Sequence, residues 1–197
     1  EKLYPFISQL CTNRKDYDGS KLANSAKQEL INVAKGAGAD ICLIDDNETL
    51  IALGKYLAVN ESVLFQNKKL HDFFYTHIIW KESEQDKAGG FYIKTLEFTK
   101  KQLGGVKLFR SWNILRIFNN LVGVAKIIAK ENGEKYMKSG TLGAIVVSGH
   151  DKKDFVRGGQ AAQLVWLTGT KHGLSLHPCT GTLFLGERIA GGDTTSF

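Results

Sequence analysis

The residues with the most evident chemistry lie in a short polar segment near the start of the chain, CTNRKDY at positions 11–17. Thr12, Asn13 and Arg14 bring a hydroxyl, an amide and a guanidinium together. Because an arginine holds a phosphate through paired, charge-assisted hydrogen bonds, this compact set of donors predicts a phosphate anchor. The same residues also fit a polar loop with a helix cap, and the segment alone leaves both interpretations open.

A second segment with chemical potential is HGLSLHPCTG at positions 172–181. A predicted buried helix stops at Gly173, and Pro178 and Gly181 then favour a turn, because proline fixes φ and glycine adopts conformations that other residues resist. Such a turn would direct main-chain N–H groups at the edge of a planar ligand. An ordinary connection between a helix and a strand would use the same residues.

The histidines and cysteines give little support to other site chemistries. His71 and His77 are six residues apart, which does not place them on one helix face, and His172 and His177 lie on either side of a glycine. We therefore predict no metal site. Cys179 lies near His177, but no third orienting group is evident, so a thiol nucleophile is not expected either.

The charge and the cysteine content restrict the class of protein. The net charge is +6 and the basic residues form only short clusters, so anionic ligands are favoured while nucleic-acid binding has only the overall charge behind it. Three cysteines outside any CxxC pattern argue against a disulfide framework and suggest a reducing cytoplasm. The apolar stretch 114–128 contains Arg116 and Lys126, so no membrane span is expected.

The elements that must position the two segments follow from apolar spacing and turn residues. Helices are predicted over residues 20–35, 47–58, 67–74, 112–129 and 158–172, with Ser20 as an N-cap and Gly133 marking the end of the fourth. Strands are predicted at 39–44 and 143–148. Because each clear strand precedes a helix, we expect helices packed on a central sheet. The length of 197 residues suggests one domain over 1–197, cut from a longer protein and incomplete at its ends.

Taken together, these segments resemble the FMN-dependent nitroreductases. CTNRKDY is similar to their N-terminal Arg-x-Ser/Thr-x-Arg signature, and GLSLHPCTG is similar to their flavin turn, "GL, then Pro-x-Glu-Gly". The chain looks most like a divergent branch with a TNR loop, some members of which are fused to adenylating domains. The resemblance spans about residues 6–181 and implies an α+β fold, a nitroreductase-like three-layer α/β/α sandwich with a central, mostly antiparallel sheet.

The resemblance also implies a cofactor site. Thr12 and Arg14 would meet the FMN phosphate with Asn13 nearby, and Asn67 would contact the ribityl chain, although a helix cap explains Asn67 equally well. The flavin ring would lie against a turn where a main-chain N–H bonds N5. That turn consists of Pro178, Cys179, Thr180 and Gly181. NAD(P)H would supply the electrons, and electron-poor substrates such as nitroaromatics or quinones would accept them. The resemblance also implies a homodimer. No catalytic side chain is expected, because the flavin carries out the chemistry.

Three departures from the family pattern favour a different class of function. The first arginine of the signature is Leu10 here, and the acidic residue of the flavin turn is Thr180. The short C-terminus also omits the strand that the family adds after position 181. The alternative is therefore a catalytically degenerate domain that binds a ligand or a protein partner.

Overall fold

Helices dominate the computed structural model, which describes residues 2–87 and 89–192. Short 3₁₀ helices lie at Tyr4–Gln9, Glu82–Lys87 and Ile93–Leu96. The strands are β1 (Asp40–Ile44), β2 (Ile78–Ile79), β3 (Phe91–Tyr92) and β4 (Leu142–Val146). The α-helices are α1 (Asn24–Gly36), α2 (Asn47–Leu57), α3 (Val59–Gln66), α4 (Lys68–Thr76), α5 (Lys100–Leu108), α6 (Trp112–Val122), α7 (Val124–Met137), α8 (Lys152–Lys171) and α9 (Gly181–Ala190).

The predicted three-layer α/β/α sandwich with a central, mostly antiparallel sheet is wrong. Within residues 2–87 and 89–192, no sheet has more than two strands. Strand β1 pairs antiparallel with β4, with Asp40 opposite Val146, and β2 pairs parallel with β3 over two residues. A sheet this narrow cannot form a central layer covered by helices on both faces, so most of the apolar surface is buried between helices.

The chain divides into two compact units, each formed by two stretches of sequence. Unit 1 comprises Glu1–Ala52 and Tyr136–Pro178, and unit 2 comprises Leu53–Lys135 and Cys179–Phe197. Because the chain passes between the units more than once, neither unit is a continuous segment. The prediction of one domain over 1–197 stays a prediction.

Unit 1 has a small core formed where α1, β1, β4 and α8 come together. Leu30 and Ala34 from α1 and Val165 from α8 are buried at its centre, because the apolar positions of α1 recur at helical spacing. Ile41 of β1 and Ile145 of β4 pack against them and face each other across the strand pair. This core holds the C-terminal end of α8 beside α1.

The core of unit 2 is helical and rich in aromatic residues. Leu115 of α6 is fully buried, among Phe65, Tyr75, Ile78, Val124 and Ala125. Two polar side chains of α4 connect this core to the end of α5. His71, which is 2% exposed, has Nε2 at 2.8 Å from the Phe109 carbonyl, and the Tyr75 hydroxyl donates to the Val106 carbonyl at 3.0 Å. Burial also raises the pKa of Tyr75, which keeps this hydroxyl a donor.

Several predicted elements are confirmed. The strands expected at 39–44 and 143–148 correspond to β1 and β4, and the helices expected at 47–58, 67–74 and 158–172 correspond to α2, α4 and α8. The Ser20 cap is wrong, since α1 begins at Asn24. The Ser20 amide instead donates to Asp18 Oδ1, and the Ser20 carbonyl lies so close to Gly140 that a Cβ there would be 2.1 Å away.

The single helix predicted over 112–129 is two helices. Gly123 separates α6 from α7, with φ at +68° in the left-handed region that favours glycine. Gly133 does not end the helix as predicted but lies buried inside α7, where a Cβ would be 3.2 Å from the Gly54 carbonyl oxygen. The sequence analysis singles out Gly133 alone, whereas the structure shows that Gly123 breaks the helix and that Gly133 is buried within α7.

No helix in the described part of the chain is long and apolar enough to cross a membrane.

Two glycines of unit 2, Gly123 and Gly104, provide a matched test of the break between α6 and α7. Gly123→Ala should lower the free energy of unfolding by about 1 kcal/mol, because an L residue is strained at a positive φ. Gly104→Ala, in the interior of α5, should raise it by about 0.5–1 kcal/mol through helix propensity. A Cβ would meet nothing within 4 Å at either position. Urea unfolding of the two variants therefore measures the effect of backbone conformation on the free energy of unfolding, without new side-chain contacts. Equal effects would contradict the assignment.

Candidate functional site

The polar loop at 11–17 lies directly beside the second candidate segment. Thr12 forms an isolated parallel bridge with Leu176, and the Asn13 amide donates to the Leu176 carbonyl at 2.9 Å. All of these residues belong to unit 1. Two stretches more than 150 positions apart in the sequence are thereby held together through their main chains.

The end of α8 explains why the second segment turns back to reach the loop. Gly173 adopts φ +71°, and its amide donates to the Thr170 carbonyl. The Leu174 amide then donates to the Gly169 carbonyl at 2.9 Å. This pair of bonds is a Schellman motif, which ends a helix and reverses the chain. The prediction that the helix stops at Gly173 is therefore confirmed.

Gly169 lets the reversed segment pack tightly on α8. A Cβ at this position would lie 2.8 Å from Leu176 Cδ1, which is closer than real Cβ contacts allow. The small residue in the last turn of α8 therefore makes room for the Leu176 side chain. Its main chain is then in place to pair with Thr12.

The loop also has order of its own. Asn13 Oδ1 accepts from the Lys15 amide at 3.2 Å, and Asn13 Nδ2 donates to the Lys15 carbonyl at 3.3 Å. These bonds form a local turn of the kind that asparagine favours. The side chains of Thr12, Asn13 and Arg14 are all half-buried. Asn13 therefore shapes the loop, whereas contact of any of the three with a phosphate stays a prediction.

An ionic cluster fastens the end of α8 to α1. Glu29 accepts from Lys171 Nζ at 2.6 Å and from His172 Nε2 at 2.8 Å. The hydrogen bond from Lys171, followed by that from His172, lowers the pKa of the Glu29 carboxyl. Since Gly173 follows directly, the cluster anchors the chain just before the reversal. Glu29 was missed by the sequence reasoning, because nothing local marks a partner that is 142 residues away.

The remaining part of the predicted flavin turn has a different structure from the one expected. Pro178 ends unit 1, whereas Cys179, Thr180 and Gly181 belong to unit 2. Thr180 precedes α9, and Gly181 is its first residue. Glycine is required there for space, not for an unusual φ, because a Cβ would lie 2.6 Å from Asn60 Oδ1. The segment that follows is helical.

Asn67 is the N-cap of α4. Its Oδ1 accepts from the Lys69 amide at 2.9 Å and from the Leu70 amide at 3.2 Å. These bonds satisfy two of the donors that a helix leaves open at its start. The helix-cap interpretation of Asn67 is thus confirmed, and its contact with a cofactor stays a prediction.

The chain is distantly similar to a mycobacterial protein. The chain is 25% identical over 150 residues to the "Uncharacterized protein MT1398" of Mycobacterium tuberculosis. The match covers 76% of this chain but 21% of the relative, so the chain spans about a fifth of that protein's length. No protein-family model matches the chain, and no solved structure gives a significant match.

The Glu29 cluster predicts how the stability of unit 1 depends on pH. Glu29→Gln should lower the melting temperature near neutral pH, because it removes a carboxylate paired with Lys171 and His172. A carboxyl whose pKa is lower in the folded state stabilises above its unfolded pKa, and this contribution disappears as the pH falls through the folded value.

The difference between wild type and Glu29→Gln should therefore shrink on acidification. Thermal unfolding followed by circular dichroism from about pH 7 down to about pH 3 measures it. Glu48→Gln is the matched control, since Glu48 is exposed and has no ion pair with the described residues. A difference that stays constant with pH would show that the cluster does not contribute as an ion pair.

Proposed function

We propose that this chain binds FMN and works as an NAD(P)H-dependent oxidoreductase that reduces electron-poor substrates such as nitroaromatics or quinones. The observation that carries the proposal is the main-chain pairing of Thr12 with Leu176. It unites the two segments that resemble the phosphate and ring sites of the FMN-dependent nitroreductases. The proposal rests on these segments and not on the sandwich fold, which the chain lacks.

The phosphate end of the cofactor would be held by the loop. Thr12 offers a hydroxyl and Arg14 a guanidinium, both half-buried, on a loop whose main chain is fixed by Leu176. The planar fork of an arginine can bond two phosphate oxygens at once. The net charge of +6 favours an anionic ligand in the same way.

The ring end would lie against residues 178–181. Pro178 is two residues beyond Leu176, so it lies within about 7 Å of the bridge to the phosphate loop. Thr180 and Gly181 begin α9, and the first N–H groups of a helix have no partner inside it. The donor to flavin N5 comes from the resemblance alone, which implies a main-chain N–H of this turn. The hydride chemistry belongs to the bound flavin, and the protein supplies binding, orientation and hydrogen bonds.

The biological setting proposed with this activity comes from the resemblance. It comprises a homodimer and, in a longer protein, a fused adenylating domain, whereas the proposed cytoplasmic location comes from the cysteine content. The similarity to about a fifth of a longer mycobacterial protein supports the idea that chains of this type occur as parts of larger proteins.

A second function is favoured by one observation. Leu10, which takes the place of the first arginine of the signature, is a half-buried apolar residue at the end of the first 3₁₀ helix. It cannot add a second guanidinium to the phosphate end. The alternative is a degenerate domain that binds a ligand or a protein partner without turnover.

Arg14→Ala tests the phosphate anchor. The substitution should weaken FMN binding by about 2 kcal/mol, or roughly 30-fold, because it removes a charge-assisted pair of hydrogen bonds. Titration of the apoprotein with FMN, followed by quenching of flavin fluorescence, gives the two dissociation constants. Arg157→Ala removes the same charge elsewhere in unit 1, where Arg157 pairs with Asp154 at 3.1 Å, and should leave FMN affinity unchanged.

Loss of affinity in both arginine variants would indicate a general charge effect, and unchanged affinity in Arg14→Ala would disprove the anchor. Steady-state oxidation of NADH and NADPH by the FMN-loaded protein, with a quinone as acceptor, then separates the two functions. Turnover supports the oxidoreductase. Stable FMN binding without turnover favours the degenerate domain with FMN as its ligand. A chain that cannot be loaded with FMN rejects the oxidoreductase and favours a degenerate domain that binds another ligand or a protein partner.

A further inference from the structure

A groove in unit 2 lies outside the proposed flavin site. It has a volume of about 420 Å³ and lies between the last turn of α3, the helix α6 and the start of α7. The residues that line it are Gln66, Trp112, Arg116, Asn119, Asn120, Gly123, Ala125 and Lys126. Its size falls within the range of small-molecule sites, which is about 300–1,000 Å³.

The groove is built by the turn between α6 and α7. Asn119 Oδ1 accepts from the Ala125 amide at 2.8 Å, and Asn119 Nδ2 donates to the Phe65 carbonyl at 2.8 Å. A single side chain thus joins the end of α3 to both helices across the left-handed turn at Gly123. Because both of its polar groups are engaged, Asn119 holds the walls in place and leaves recognition to its neighbours.

The charge of the groove has one sign. Arg116 and Lys126 are the titratable residues in its lining, and both are cations. The segment 112–126 contains no aspartate or glutamate. Neither cation forms an ion pair with a carboxylate in the part of the chain that the structure describes. Two cations that converge on one groove without a carboxylate partner favour an anionic ligand.

The other lining residues suit a planar group. Trp112 is half-buried and is held by an edge contact with His71, with ring centroids 5.2 Å apart. The exposed amide of Asn120 adds both a donor and an acceptor. The amide of Gln66, at the end of α3, already donates from Nε2 to Ser62 Oγ within its own helix. An aromatic wall beside exposed amides is the arrangement that proteins use for stacking and hydrogen bonding to a nucleobase.

We propose that this groove binds a nucleoside monophosphate, either as a free ligand or as part of a larger nucleotide. Arg116 and Lys126 bind the phosphate, Trp112 packs against the base, and the amide of Asn120 bonds its edge. The site lies wholly in unit 2, whereas the proposed FMN phosphate anchor lies in unit 1. The inference is therefore independent of the flavin proposal.

Calorimetric titration of the full chain with adenosine 5′-monophosphate tests this site. The wild type should bind it at least about tenfold more tightly than it binds either adenosine or inorganic phosphate, because a charge-assisted contact and a stacked base contribute together. The double variant Arg116→Gln/Lys126→Gln should lose tenfold or more in affinity. Asn120→Leu should weaken the nucleotide while leaving inorganic phosphate unchanged.

A matched control is available in the neighbouring helix α5. Lys100→Gln/Lys101→Gln removes the same charge from exposed residues outside the groove and should keep wild-type affinity. Arg14→Ala should also keep it, which separates this site from the flavin site. The proposal is overturned if the wild type does not bind the nucleotide, if both double variants bind equally well, or if Arg14→Ala removes binding.

Discussion

The reversal of the chain at the end of α8 is the constraint on which the candidate site depends. A helix that ends in a Schellman motif at Gly173 directs residues 174–176 back along its own last turn. The missing Cβ of Gly169 gives Leu176 the space to settle there. Only then does the Leu176 main chain lie where Thr12 can pair with it. Gly169 and Gly173 thus allow the main-chain pairing between the polar loop and Leu176.

The expected fold class is wrong because local sequence patterns indicate single strands and not how many strands a sheet contains. The two clear strands were identified, and they do pair with each other, but they form a ribbon and not the centre of a sheet. The resemblance to a sheet-based family predicts a three-layer sandwich, but the sequence contains no further strong strand pattern that could widen the sheet. Between β1 and β4 the chain forms mainly helices, whose apolar residues recur every three to four positions and bury themselves against other helices.

Polar side chains in the two units have two kinds of role. Glu29, Asn67 and Asn119 have their polar groups engaged by other parts of the chain and fix helix ends or turns. Arg116 and Lys126 instead present charge to a groove without a described ion-pair partner. A side chain that already stabilises the fold is a poor candidate for a ligand contact, because binding would have to replace the bonds it makes. This distinction, and not residue type, separates the structural amides from the candidate binding residues.

Local features can be predicted from the residues nearby in the chain: the strands around 39–44 and 143–148, the stop at Gly173, the cap at Asn67 and the donor-rich loop at 11–17. Each follows from spacing, capping or glycine conformation within a few residues. Features that depend on distant partners are visible only in the folded chain. The tertiary structure made Gly123 the helix break and buried Gly133, it gave Gly181 a steric role beside Asn60, and it paired Glu29 with Lys171 and His172. Such choices require contacts between residues far apart in the chain, and no local pattern records them.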